Sequence, residues 1–250
     1  MTKRRYFLEI AYDGTNYHGW QMQKNAQSVQ EVIQHCLSTL LATPTSITGS
    51  GRTDTGVHAL QQYAHFDADL RITLSDLQYK INAFLPRDIA IKSIIPVTEK
   101  AHARYTAYLR SYKYFIHQQK DPFLNDRSYY LKETLDLDVM NLAARSILGA
   151  HDFKCFSKAN TGVKHYLCNV NEAYWSQENG QLVFHISANR FLRGMVRSVV
   201  GTILMIGRGQ LDQQGFRSLV AAGDHSKAGR AAPANGLFLT RVNYPDTIFI

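Results

Sequence analysis

From Tyr6 to Tyr12 the chain alternates, with Tyr6, Leu8, Ile10 and Tyr12 on one side and Phe7, Glu9 and Ala11 on the other. A period of two predicts a strand with one well-buried face. A polar loop holding Gly14 and Gly19 follows. The period then becomes helical, because Val29, Val32, Ile33, Cys36, Leu37, Leu40 and Leu41 keep one face apolar. Ser28 stands three residues before Glu31, the spacing of a capping box, and this marks where the helix starts. After Pro44 the pattern predicts a short strand around Ile47, a turn, and a strand near Gln61 to Phe66. A second helix, with Leu77, Ile81, Phe84 and Leu85 in register, stops before Pro86, and Ile89 to Ile95 reads as another strand.

The polar stretch from Glu99 to Arg104 breaks the periodicity, which predicts an N-terminal domain over 1–103 and a C-terminal domain over 104–250. A similar order of elements then recurs. A long strand from Ala107 to His117 leads to a helix begun by Asp136, carrying Met140, Ala143, Ala144, Ile147 and Leu148, with Gly149 as its stop. Asn179-Gly180 joins two alternating runs, Asn169 to Trp175 and Gln181 to Ala188, as a tight hairpin. A helix from about Phe191 to Ile206, a shorter one near Phe216 to Ala222 and a strand from Leu237 to Tyr244 complete the pattern. The Ala/Gly-rich loop from Ala228 to Gly236 is expected to be mobile or to face a substrate. Hairpins predict an α+β fold rather than a doubly wound parallel sheet: two pseudo-equivalent α/β halves with largely antiparallel sheets flanked by helices.

Composition sharpens this picture. At 250 residues and 45% hydrophobic content the chain can bury a substantial core in two halves. Lys and Arg number 28 against 20 Asp and Glu, a net charge of +8 with a pI near 9.4, which favours a polyanionic partner; 14 Tyr and 12 Phe supply faces for base stacking. Cys36, Cys155 and Cys168 are odd in number and lack a C-x-x-C pair, which argues against a disulfide framework or zinc finger. Thr2-Lys3-Arg4-Arg5 runs straight into the first strand and the apolar runs are too short to span a bilayer, so a soluble protein of a reducing, cytoplasmic setting is expected.

Candidate chemistry concentrates in Gly49-Ser50-Gly51-Arg52-Thr53-Asp54-Thr55-Gly56-Val57-His58. Arg52 and Asp54 lie two residues apart between glycines, so in a cleft the arginine can hold the carboxylate ionised or grip a phosphate, and Asp54 is placed as a nucleophile or base. The same spacing also suits an ordinary surface turn. In the strand beginning at Ala107, Tyr108, Arg110, Tyr112 and Tyr114 fall on one face, suited to stacking a base and steering a phosphate, or to a half-exposed edge. Arg190, Arg193 and Arg197, at i, i+3 and i+7 of the predicted helix after Phe191, share a face and repel one another unless an anion joins them; a solvated helix face is the alternative. Asp13-Gly14-Thr15 has Ala11 where a phosphotransferase of the haloacid dehalogenase class has its nucleophile, so it reads as a turn. The histidines show no metal-ligand spacing, and no metal site is expected.

Gly51-Arg52-Thr53-Asp54-Thr55-Gly56-Val57-His58-Ala59 resembles the signature motif of the bacterial tRNA pseudouridine synthase A family. Tyr12-Asp13-Gly14, Gly19-Trp20-Gln21 and Ser28-Val29-Gln30-Glu31 resemble that family's N-terminal segment. His102-Ala103-Arg104 with Arg110-Ser111-Tyr112-Lys113-Tyr114, then Phe191-Leu192-Arg193-Gly194-Met195-Val196-Arg197 and Gly236-Leu237-Phe238-Leu239, resemble its later motifs in order. Thr55 departs from the alanine more usual in the motif, and Asp121 to Tyr130 follows the pattern less closely. The resemblance implies isomerisation of uridine to pseudouridine at positions 38 to 40 of the tRNA anticodon arm, by a homodimer that needs no cofactor. It implies Asp54 as the catalytic nucleophile or trigger of glycosidic cleavage. Arg52 would be its partner, which later occupies the space of the flipped nucleotide, and Tyr112 would stack on the uracil and assist removal of the C5 proton. Arg110, Arg193 and Arg197 are expected to line an RNA-binding cleft between the halves. Two rivals predict other outcomes: a non-catalytic tRNA-binding chaperone has no need of Asp54, and a phosphoryl-transfer enzyme using Asp54 or Asp13 with a metal loses activity in EDTA.

Overall fold

The structure is a computed structural model that describes residues 3–158, 162–163 and 165–250. The chain divides into two compact units, Met1–Leu109 with Leu239–Ile250, and Arg110–Phe238. The division therefore falls a few residues beyond the polar stretch around Arg104, and the C-terminal segment returns to the first unit.

The first unit runs β1 (Arg4–Tyr12), α1 (Val29–Leu40), β2 (Thr48–Gly49), β3 (His58–Ala68), α2 (Leu74–Phe84) and β4 (Ile89–Val97). The second runs β5 (Leu109–His117), β6 (Tyr129–Tyr130), α3 (Leu137–Arg145), β7 (Gly149–Asp152), β8 (Leu167–Glu178), β9 (Gln181–Ala188), α4 (Met195–Gly207) and α5 (Gln213–Ala222), and β10 (Leu237–Asn243) leads back to the first. The pairs β1–β3, β1–β4, β2–β3, β5–β9, β7–β8 and β8–β9 are antiparallel, short β6 runs parallel to the end of β5, and the fold is α+β as expected.

In the first unit the sheet order is β4-β1-β3-β10, with β2 added to β3. Central β1 pairs Leu8 with Ala64 of β3 and with Ile94 of β4. Its face of even-numbered residues is buried as the alternation predicts, but Phe7 of the other face is buried too. The reason is the C-terminal segment: Tyr244 sets its ring edge-on to Phe7 (5.0 Å) and to Tyr63 (5.2 Å). Helix α1 begins at Ser28, whose Oγ accepts the Glu31 N–H (3.3 Å), satisfying one of the unpaired donors of the first turn. It buries Ile33, Cys36 and Leu37, while α2, capped by Thr73 and ended ahead of Pro86, buries Leu77 and Ile81 against β4 and α1. Burial alone pushes the Cys36 thiol up to about 11, which makes it an inert core side chain.

In the second unit the order is β5-β9-β8-β7. Asn179 and Gly180 both take positive φ (50° and 77°), the two-residue turn that closes β8 on β9. Helix α3 starts at Asp136 as predicted but ends at Arg145, and Gly149 opens β7 with a φ of 90° instead of stopping the helix. Helix α4 is buried almost all round, as suits a helix enclosed on several sides. It starts at Met195, after Gly194 with φ 74°, and not at Phe191. The segment Ala228 to Gly236 is fastened to the unit rather than loose: Gly229 donates to Thr202 Oγ1 (2.9 Å), Ala232 to the Arg197 carbonyl (2.9 Å), and the Pro233 carbonyl accepts from Tyr114 (2.8 Å).

Candidate active site

Asp54 sits half-buried on the loop 50–57 that carries the chain from β2 into β3. The base of that loop is held from below. Ser50 donates its N–H to the Tyr63 carbonyl (2.7 Å) and bonds Gln62 Oε1 through Oγ, while Gln62 Nε2 donates to the Gly51 carbonyl (3.1 Å). Ser50 and Gln62 are both fully enclosed, so these bonds are shielded from competing water. Gln62 was not singled out from the sequence. Its signal was there: alternation places it opposite Ile10 on a buried face, where an amide needs partners.

The loop's flank is held by the segment 12–20. Tyr12 and Thr53 share a hydroxyl hydrogen bond (2.9 Å), Trp20 donates its backbone N–H to the Thr53 carbonyl (3.3 Å), and Gly56 donates to the Tyr17 carbonyl (3.3 Å). Asp54 closes the turn itself, its carbonyl accepting the Val57 N–H (3.2 Å). Two glycines make this approach possible. A Cβ at Gly14 would lie 2.0 Å from the Val57 carbonyl oxygen, and one at Gly19 would lie 2.3 Å from that of Thr53. His58, just past the turn, is enclosed and accepts the Gly14 N–H at Nδ1 (3.1 Å). Asp13 Oδ1 lies 3.1 Å from the same atom. Asp13 also accepts from the Thr15 N–H and hydroxyl, as the turn reading predicts.

Arg52 is exposed at the front of the loop. Its Nε donates to Gln21 Oε1 (3.1 Å), so the guanidinium is engaged by the Gly19-Trp20-Gln21 segment. The loop thus presents one carboxylate and one oriented guanidinium from a bed fixed at both ends.

In the second unit Tyr112 lies on β5 opposite Ile186 of β9, half-buried, with its ring edge-on to Phe191 (5.1 Å, 89°). Arg110, two residues before it, donates Nη1 to the Asn189 carbonyl (2.9 Å). Strand β5 therefore meets the segment 189–191 that leads into Arg193 and Arg197. The predicted face of three tyrosines is corrected here: Tyr114 is fully buried, and burial raises its hydroxyl above the usual tyrosine range. The arginine stripe is corrected as well. Only Arg197 is on α4, because the positive φ of Gly194 interrupts the helical phase and leaves Arg190 and Arg193 in the approach to the helix. Arg193 is exposed, whereas Arg197 is half-buried with Nε donating to the Ala232 carbonyl (2.6 Å). Arg197 also lines a cavity of about 280 Å³ with Lys158, Arg230 and His225. Lys158 comes from one segment and His225 and Arg230 from another, both remote in sequence from Arg197, and no local pattern marks them.

Among the described residues no group of three His, Cys, Asp or Glu side chains is arranged to hold a metal ion, and no helix is long and apolar enough to cross a membrane.

A sequence-family model described as tRNA pseudouridine synthase matches residues 10–106 and 143–245. Relatives named tRNA pseudouridine synthase A include that of Parabacteroides distasonis, 46% identical over 98% of both chains. That of Bacteroides thetaiotaomicron is 45% identical over 98% of this chain and 93% of its own. That of Ruminiclostridium cellulolyticum is 41% identical over 96% of this chain and 100% of its own. With the match extending over both units and through the Asp54 loop, the chain belongs to the tRNA pseudouridine synthase family.

Proposed function

We propose that this chain, an isomerase acting on tRNA by its family, converts uridine to pseudouridine at positions 38 to 40 of the anticodon stem-loop, with Asp54 as the catalytic carboxylate. The observation that carries the reading is the loop itself: a carboxylate held between two sets of backbone hydrogen bonds, on the segment that matches the family. Such fixing lowers the cost of placing a reacting group against a sugar carbon.

The reaction breaks the N1–C1′ bond, turns the uracil and forms C5–C1′; N1 gains a proton and C5 gives one up. It moves no net electrons. Asp54 either attacks the sugar or removes its 2′ proton to start cleavage. Tyr112, held by Phe191, stacks on the detached uracil and assists loss of the C5 proton. Arg52 takes the place of the nucleotide that flips out, which offsets part of the few kcal/mol that unstacking costs. Arg110, Arg193 and Arg197 bind the RNA backbone, a role supported by the net charge of +8 and the basic cavity at Arg197. The working unit is a homodimer that carries no cofactor.

The test is tritium release from tRNA transcripts labelled at uridine C5, with EDTA present. Wild type is expected to release tritium and Asp54→Asn to fall by at least about 10³-fold with tRNA affinity kept. Tight binding without release from any tRNA would favour a non-catalytic tRNA chaperone, and loss of wild-type release on adding EDTA would favour metal-dependent chemistry.

A further inference from the structure

Arg52 is a long side chain on an exposed loop, and ordering such a side chain costs rotamer entropy. A chain of amide hydrogen bonds leads from its Nε into the core. Arg52 Nε donates to Gln21 Oε1 (3.1 Å), Gln21 Nε2 donates to Gln30 Oε1 (2.8 Å), and Gln30 Nε2 donates to the Ile47 carbonyl (2.9 Å).

The direction of this chain is fixed by its buried end. Gln30 is 9% exposed, and its Oε1 also accepts the Met22 N–H (3.0 Å). With two donors on one atom and a carbonyl facing the other, the Gln30 amide has only one orientation that satisfies it. That in turn leaves Gln21 able to offer only its oxygen to Arg52. A guanidinium bound through Nε still has both Nη groups for RNA. Gln30 is anchored twice over, on helix α1 and against the residue that precedes β2, so the relay ties Arg52 to the same elements that carry the Asp54 loop.

We propose that Gln21 and Gln30 are positioning residues that hold the Arg52 guanidinium ready at the Asp54 loop before RNA arrives. The inference rests on the functional reading above. Neither glutamine touches the reacting atoms, and both act through Arg52.

A double-mutant cycle with a spectroscopic arm tests this. Gln21→Met, on an exposed residue, is expected to fold as wild type and to slow single-turnover tritium release at saturating enzyme by about tenfold, with tRNA dissociation constants within about twofold. In an Arg52→Met background the same change is expected to alter the rate by less than about twofold. Gln30→Met should follow the same pattern with an added loss of thermal stability, because it also strips the Met22 and Ile47 partners. In the spectroscopic arm, the ¹⁵N Nε–H resonance of Arg52, assigned by its disappearance in Arg52→Met, should exchange with solvent at least about tenfold faster in Gln21→Met than in wild type. An equal factor in both backgrounds, an unslowed Gln21→Met or an unchanged Arg52 exchange rate overturns the proposal while the functional reading stands. Absence of release by wild type overturns the functional reading and the positioning role with it.

Discussion

At Gly14 the space of a side chain is already taken by the Val57 carbonyl, the atom just beyond the turn that Asp54 closes. A Cβ there would lie 2.0 Å from that oxygen and 2.6 Å from its carbon, and backbone cannot step aside as the tip of a side chain can. Gly14→Ala must therefore displace either the segment 12–20 or the Asp54 loop. The expected outcome is a loss of about 1–3 kcal/mol, read as a fall of several degrees in Tm, together with at least about tenfold slower tritium release. Gly51→Ala supplies the contrast inside the same motif, since a Cβ there meets nothing within 4 Å. Its Tm is expected to stay within about 1 °C of wild type. Equal Tm losses in the two variants would mean that the close approach at Gly14 is not what shapes the loop.

Helices and strands show where local pattern suffices and where it fails. The α1 cap at Ser28, the stop of α2 before Pro86 and the Asn179-Gly180 hairpin are short-range events, and each forms as the residues alone predict. The start of α4 does not, because apolar spacing carries through Leu192 and Val196 while Gly194 takes a φ of 74° that no helix continues through. Glycine is indifferent to the sign of φ, so its presence at a helix start signals a break only when the backbone is seen. Replacing it supplies a check: Gly194→Ala puts a Cβ into the left-handed region and 3.3 Å from Lys158 Cγ, and is expected to cost about 1–2 kcal/mol in urea denaturation. A variant as stable as wild type would mean that α4 can extend back to Phe191 after all. The same limit explains the site. That Arg52 and Asp54 share one loop was legible because they lie two residues apart in the chain. The burial of Tyr114, the buried second face of β1 and the gathering of Lys158, Arg230 and His225 around Arg197 depend on segments far apart in the chain.

On the scale of the whole molecule, the folded chain holds several histidines neutral. At His65, burial, then the charges of Arg5 and His102, push the pKa down to about 4. The ring is 8% exposed, accepts the Ala103 N–H at Nδ1 (3.2 Å) and sits edge-on to His102 at 4.6 Å, so a proton on it breaks a buried contact and faces a nearby cation. His117 and His185 are lowered by burial as well. Unfolded, each takes up a proton near its ordinary value of 6.5, so between pH 6.5 and 4 the unfolded chain binds more protons than the folded one, and stability falls with pH. His65 alone accounts for roughly 3 kcal/mol across that window, at up to about 1.4 kcal/mol per pH unit. The carboxylates held low by partners, such as Asp67 beside Arg5, act in the same direction, with their loss centred at more acid pH as they protonate. Urea midpoints measured from pH 7.5 to 4.5 should therefore decline on the acid side. In His65→Gln the midpoint is expected to start lower at neutral pH, because the ring contacts with Phe7 and His102 are gone, and then to decline less steeply. A variant whose midpoint falls in parallel with wild type would show that His65 takes up its proton without unfolding, and that the acid sensitivity belongs to other groups.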